Sequence, residues 1–272
     1  MSVEKLIAEG VLHQTKVDVI DDRCDVSQPL VVVNPRKGEI EVTASQRVSL
    51  VLWHDDDKES ALTLRLAPHT RLSLTEVYAS TKYASLTIEQ GEASECDVTT
   101  VVLHGAHTAY ETLLNAPHSS FVMNAAVVAG EFDHAVLSLV TRHLVSDCKS
   151  NSTVKSVASG RGVAEFKGLV YVAQDAQRTD AKQLNRNVEL GMGRVVSEPQ
   201  LEIYADDVKC SHGSTVGQLD DEAIYYMRQR GISKESAERL MLEGFVGDVV
   251  AKCEIEALRD LLAEELSNKL NR

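Results

Sequence analysis

From about Gln28 to Leu219 the chain is a succession of short segments in which apolar and polar positions alternate: "LVVVN", "VSLVLW", "LTLRL", "LSLTEVY", "SLTIEQ", "HAVLSLV", "FKGLVYV" and "QLEIYA". A repeat of two is the signature of a strand with one face buried. The segments recur roughly every ten residues with polar turns between them, a rhythm shared by sandwiches, barrels and solenoids. Periodicity does not choose among the three. Aromatic residues are scarce at 4% with a single tryptophan, Trp53, which leans against a sandwich built on a buried aromatic centre. The segments share no crisp consensus, so a solenoid here is an irregular one.

After Leu219 the period changes. Asp220 is placed to cap a helix through "DEAIYYMRQR", Gly231 to stop it, and Ser233 to cap the next. In that second helix Ala237, Leu240, Met241 and Phe245 fall on one face, and a third stretch carries Val249, Val250, Cys253, Leu258, Leu261, Leu262 and Leu266. The apolar face of these helices either packs on the end of the sheet and hides its edge, or docks a partner. The pattern divides the chain into a short N-terminal segment (1–28), a β core (29–219) and a helical segment (220–272).

The 272 residues, 43% of them hydrophobic, suffice for a large core. A net charge of −13 argues against a nucleic-acid surface or an anionic membrane, because phosphate contacts need clustered Lys and Arg. Five cysteines without a CxxC spacing read as free thiols of a reducing, cytoplasmic compartment. The opening "MSVEKLIAEGVLHQ" lacks the apolar run of a signal peptide, and no segment is long enough to span a bilayer. The sequon Asn151-Ser152-Thr153 is expected to be a polar turn.

Candidate chemistry concentrates in "KCSHG". On a strand Cys210 and His212 project to the same face, about 7 Å apart. Either the pair belongs to the β core, with the imidazole bonded to backbone, or it offers two soft or borderline donors to a metal or sulfur species. Two donors do not complete a tetrahedral site, so such a site would be shared with another chain. His104 and His107 in "HGAH" fall on opposite faces of a strand, and the carboxylates of "WHDDD" and "YADD" read as turns. GxSxG, P-loop, GxGxxG and HExxH are all missing, which removes the common routes to hydrolase, NTPase or dinucleotide chemistry. A carbohydrate-active solenoid enzyme would carry an aromatic sugar platform and paired acids, which the composition disfavours.

The runs "EFKGLVYVAQDAQRTDAKQLNRNVEL" and "PQLEIYADDVKCSHGSTVGQLDDEAIYYMRQRGIS" closely resemble the SufD branch of the SufB/SufD family of iron-sulfur cluster assembly proteins. The likeness is clearest from about Ser150 to Asp248. It implies a right-handed parallel β-helix with a small helical C-terminal segment, and a non-catalytic scaffold role. It further implies pairing with a SufB-like paralogue, binding of a SufC-like ATPase, and a transient iron-sulfur cluster shared at the SufB/SufD interface. The family histidine falls on His212, with Cys210 beside it, and the ATPase-binding helices bring in Leu240, Met241 and Phe245. A self-associating scaffold that pairs with its own copy is the alternative within the family. Typical members carry an extended helical N-terminal region, whereas here strands begin near Leu30 after one short helix.

Overall fold

The computed structural model describes residues 2–16, 18–80 and 82–270. Among these, the chain opens with helix α1 (Val3–Ala8), capped by the Ser2 hydroxyl. There follow strands β1 (His13–Gln14), β2 (Val19–Ile20), β3 (Leu30–Val33), β4 (Lys37–Val42), β5 (Arg47–His54), β6 (Ser60–Leu66), β7 (Arg71–Tyr78), β8 (Tyr83–Gln90) and β9 (Glu95–Val102). The series continues through β10 (His107–Leu114), β11 (Ser120–Ala129), β12 (His134–His143), β13 (Lys149–Ala158), β14 (Val163–Val172), β15 (Asp180–Glu189), β16 (Arg194–Ile203) and β17 (Lys209–Gly217). Three helices close it: α2 (Asp221–Arg228), α3 (Lys234–Val250) and α4 (Glu256–Leu270).

Odd-numbered strands form one sheet and even-numbered strands the other, each strand parallel to the one before and the one after it in its sheet. The chain therefore winds from sheet to sheet, one pair of strands per turn. This is the parallel β-helix that the resemblance implied, and it settles the choice among sandwich, barrel and solenoid. Coils stack in register, so inward residues form columns. One column on the odd-numbered sheet runs Leu30, Leu50, Leu74, Val98, Met123, Ser152, Gln183 and His212. Its neighbour runs Val48, Leu72, Cys96, Phe121, Ser150, Ala181 and Cys210. Both begin apolar; the first turns polar in the last coils, whereas the second passes from Ser150 back to Ala181 and Cys210.

Tight corners join the strands, several through residues in the left-handed region, including His69, Ala93, His118, Asp147 and Arg178. Such a conformation is strained for a residue with a Cβ. At two stacked corners it is held by the ion pair of Arg178 Nε with Asp147 Oδ1, 2.6 Å.

The interior between the sheets is mainly aliphatic in the early coils, with a polar island around Glu76. Glu76 accepts from His54 Nε2 at 3.0 Å, Tyr78 OH at 2.8 Å and Tyr110 OH at 2.6 Å, while Lys82 Nζ lies 3.2 Å from both His54 Nδ1 and Asp56 Oδ1. Glu76, His54 and Lys82 are all buried, so each polar group depends on its partners there.

A second apolar layer lies outside the odd-numbered sheet. Val51, Trp53, Val77, Val101, Ala126, Val128 and Val157 project outward and are covered by α1, α3 and α4. The helices thus pack on the face of the sheet and leave its last edge open, so of the two readings left by the sequence, the one in which they hide that edge is corrected. The buried side of α3 is Ala237, Leu242, Val246, Val249 and Val250. The stripe expected from the sequence is divided: Leu240 is exposed, and Met241 and Phe245 are half-buried. Lys155 fixes α3 to the sheet, donating to Phe245 O at 2.8 Å and to Asp248 Oδ2 at 2.6 Å. The caps at Asp220 and Ser233 form as expected, and Gly231 takes a φ of 85°. Asn151, Ser152 and Thr153 lie within β13 rather than in a turn, and His104 sits in a corner rather than on a strand.

His143 ends β12 facing inward, its Nε2 2.8 Å from Ser150 Oγ, and burial pulls its pKa down to about 4. An unfolded chain holds that proton up to about pH 6.5. The unfolded state therefore binds more protons across this window, and stability is lost as pH falls through it. Chemical denaturation at pH 7 and pH 4 is expected to show a loss on the order of 3 kcal/mol that is absent from His143→Gln.

Candidate functional site at the open end of the β-helix

Among the described residues β17 pairs only with β15, and β16 only with β14, so both sheets end on a strand with one unpaired edge at the same end of the helix. Each such strand leaves a row of backbone donors and acceptors without strand partners. Apolar side chains gather there as well: Ile203, Tyr204 and Val216 are all exposed. Beneath them lies a small apolar cluster of Val170, Val172, Ala176, Ala181 and Ala205, against which Leu201, Val208 and Cys210 pack half-buried.

His212 lies in β17 and is exposed; Cys210, two residues before it and on the same face, is half-buried. The two sequence candidates are therefore together, at the rim of the interior rather than within it. Burial, with the Asp180 carboxylate adding to it, pushes the Cys210 thiol up, against a lowering hydrogen bond from the Ala181 backbone. At neutral pH Cys210 is a protonated thiol, so the imidazole is the readier donor of the two. Leu240, Met241 and Phe245 belong to α3, on the outer face of the odd-numbered sheet, and form no part of this end. The Phe245 ring lies under Lys155 Nζ, 4.8 Å from it.

The sequence reading missed the polar layer beneath the pair. Gln183, Asn185 and Asn187 of β15 point inward and are buried, whereas Leu184 between them faces outward. Asn185 Nδ2 donates to Val154 O at 3.1 Å, and its Oδ1 accepts from Ser197 Oγ and Asn187 Nδ2, both at 2.6 Å. Ser197 Oγ also lies 2.6 Å from Ser214 Oγ, and Asn187 Nδ2 reaches Thr215 O at 3.0 Å. These bonds join β15 to both edge strands. They fix the backbone that carries His212. The only clue in the sequence is the alternation of Gln, Asn and Asn in "QLNRN", which a hydrophobic reading assigns to the solvent side because Leu184 is the apolar residue.

A thiol and an imidazole suit iron and sulfur. Among the described residues no group of three or more His, Cys, Asp and Glu side chains converges on a metal position. None of the described helices is long and apolar enough to cross a membrane.

Fold and site together define a β-helical protein with helices on one face and two soft-donor side chains at an open end. Residues 39–245 match the family of the SUF system FeS cluster assembly, SufBD core domain, and the chain belongs to that family. It is 36% identical over 160 residues to the iron-sulfur cluster assembly protein SufD of Escherichia coli, covering 58% of this chain and 38% of that protein. An iron-sulfur cluster assembly SufBD family protein of Synechocystis is 27% identical over 279 residues, 94% of this chain and 60% of its own length. The chloroplastic protein ABCI7 of Arabidopsis thaliana is 40% identical over 105 residues, 38% of this chain and 22% of that protein. The chain thus spans less than two thirds of each of these relatives. The resemblance to the SufD branch, read from the C-terminal half, agrees with these matches.

Exposure divides the thiols. Cys96, Cys148 and Cys253 are buried, and Cys24 and Cys210 are half-buried. Brief alkylation of the native chain at pH 7.5 is expected to label Cys24 and Cys210 alone, with Cys210 slower than a free cysteine and accelerating as pH is raised. Peptide mass spectrometry reads the outcome; rapid labelling of Cys210 at neutral pH contradicts the raised thiol.

Proposed function

We propose that this chain is a non-catalytic scaffold subunit of a SUF-type assembly complex, and that His212 donates one ligand to a nascent iron-sulfur cluster completed by a second chain. The observation that carries the reading is the position of His212: it ends an inward column of the β-helix yet is exposed, on a strand whose outer edge is unpaired. Half a ligand set makes cluster formation conditional on assembly. Cys210 is a secondary donor, because its proton must leave before sulfur can ligate.

The partner at the open end is a SufB-like paralogue, which would pair its own strands with β16 and β17 and cover Ile203, Tyr204 and Val216. A second copy of this chain can meet the same edges when the paralogue is missing. The SufC-like ATPase docks on the C-terminal helices, where Leu240 is exposed and Met241 half-buried. Phe245 contributes less to that surface than the sequence suggested, since Lys155 already covers its ring.

Co-expression with candidate SufB-like and SufC-like partners tests the ligand role. His212→Ala is expected to lower cluster absorbance about tenfold or more while the subunits still co-purify. Because neutral imidazole is the ligating form, the wild-type complex should lose cluster as the medium is acidified and the variant should show little further loss. Equal cluster content in the two complexes contradicts the assignment.

A further inference from the structure

The column that ends in His212 contains a side chain whose chemistry is unused. Gln183 lies directly below His212 in the ladder between β15 and β17, and it is 2% exposed. Both its Oε1 and its Nε2 are buried without a hydrogen-bond partner among the described residues. Two residues along, Asn185 bonds through both its Nδ2 and its Oδ1, and Asn187 beyond it bonds through Nδ2 while its Oδ1 lacks a partner, so Gln183 alone of the three is unbonded at both amide atoms among the described residues. A buried amide with no partner is unfavourable, and native interiors rarely keep one without a use for it.

Space has been cleared for it. The amide lies against Gly168 on the opposite sheet, where any Cβ would stand 2.5 Å from Nε2 and 2.6 Å from Oε1. Gly168 is an ordinary strand residue of β14 that needs no positive φ, so the missing side chain matters for volume and not for backbone freedom. The register above Gly168 is Pro199, which offers no side-chain donor, and the register above Gln183 is His212. Parallel neighbours in one row stand about 4.8 Å apart at the backbone, within reach of a ring and an amide. The His212 ring is the polar group that can turn inward at little expense, since it stands on an exposed edge.

We infer that Gln183 is the positioning residue of His212, its Oε1 accepting the N–H of the inward ring nitrogen. The direction of this bond follows from what the site requires. If the amide N–H donated to the ring, the inward lone pair would be consumed and the outward nitrogen would carry the hydrogen, unable to ligate. With the carbonyl accepting, the outward nitrogen presents its lone pair to whatever covers the end of the helix. Ligating histidines are commonly held in this way by an oxygen acceptor on the far nitrogen. Gln183 thus fixes both tautomer and ring direction without touching the ligand.

The inference rests on His212 acting as a donor, but its test does not. Heteronuclear NMR of the full chain with labelled histidine, His212 assigned by comparison with His212→Ala, reads the tautomer at a pH where imidazole is neutral. The wild-type ring is expected to hold a single tautomer, and in Gln183→Met, close in volume but without an amide, to revert to the mixture of a free imidazole. Gln183→Glu keeps the acceptor and should keep the lock. The thermal midpoint of Gln183→Met should differ little from that of the wild type, because the bond lost to His212 is offset by removal of the buried Nε2 that the pairing leaves unbonded. A wild-type ring already distributed as a free imidazole overturns the pairing without any variant. So do equal tautomer populations in the wild-type and methionine chains, and a lowered midpoint with an unchanged tautomer makes Gln183 structural. Failure here leaves His212 as a ligand, whereas full cluster content in His212→Ala removes the ligand and leaves the pairing standing.

Discussion

A stack of parallel coils has to stop, and where it stops the backbone hydrogen bonds of two strands have nowhere to go. Everything distinctive about this protein follows from how its last coil is left. The helices that follow β17 do not return to cover it. They cross to the face of the odd-numbered sheet and are held there by apolar contact and by Lys155. The end of the helix is left with two strands that each have an unpaired edge, exposed Ile203, Tyr204 and Val216, and the rim that carries Cys210 and His212.

The same constraint explains the change in the interior. In the early coils the inward columns are mainly Leu, Val, Cys and Phe, interrupted by the bonded group around Glu76. In the last coils they become Ser, Gln and Asn, whose hydrogen bonds join β15 to β16 and β17. An interior of this kind gains less from burial per side chain than an aliphatic one and depends on nearly complete bonding. It holds a terminal coil in place when nothing packs against it. Gln183, whose amide this network leaves out at both atoms, points to the site.

Much of the fold was legible in the sequence because strand alternation survives wherever one face is solvated. "LTLRL" in β6 and "HAVLSLV" in β12 show it directly. It fails where the helices cover the outside, as at "VLWH" in β5, since both faces are then buried and the period disappears. The α3 stripe was misread for a related reason. That helix packs against the sheet on one side and α4 on another, so its apolar positions spread round the axis and no single row identifies the buried one. The sequon in β13 shows that polar composition alone does not make a turn. Of the site, Cys210 and His212 stood out by residue type and spacing. Gln183 and Asn185 did not, because coil-to-coil register has no trace in a chain without a repeat consensus, and because Leu184 suggested the opposite parity.

The central claim is that this open end is completed by another polypeptide. Amide hydrogen exchange on the chain, alone and with a SufB-like partner, tests it most directly, since unpaired edge strands exchange quickly and paired ones do not. The account predicts that amides of 194–203 and 209–217 slow by about tenfold or more in the complex while those of β7 and β9 keep their rates. Unchanged exchange in β16 and β17, with protection appearing elsewhere, would contradict it.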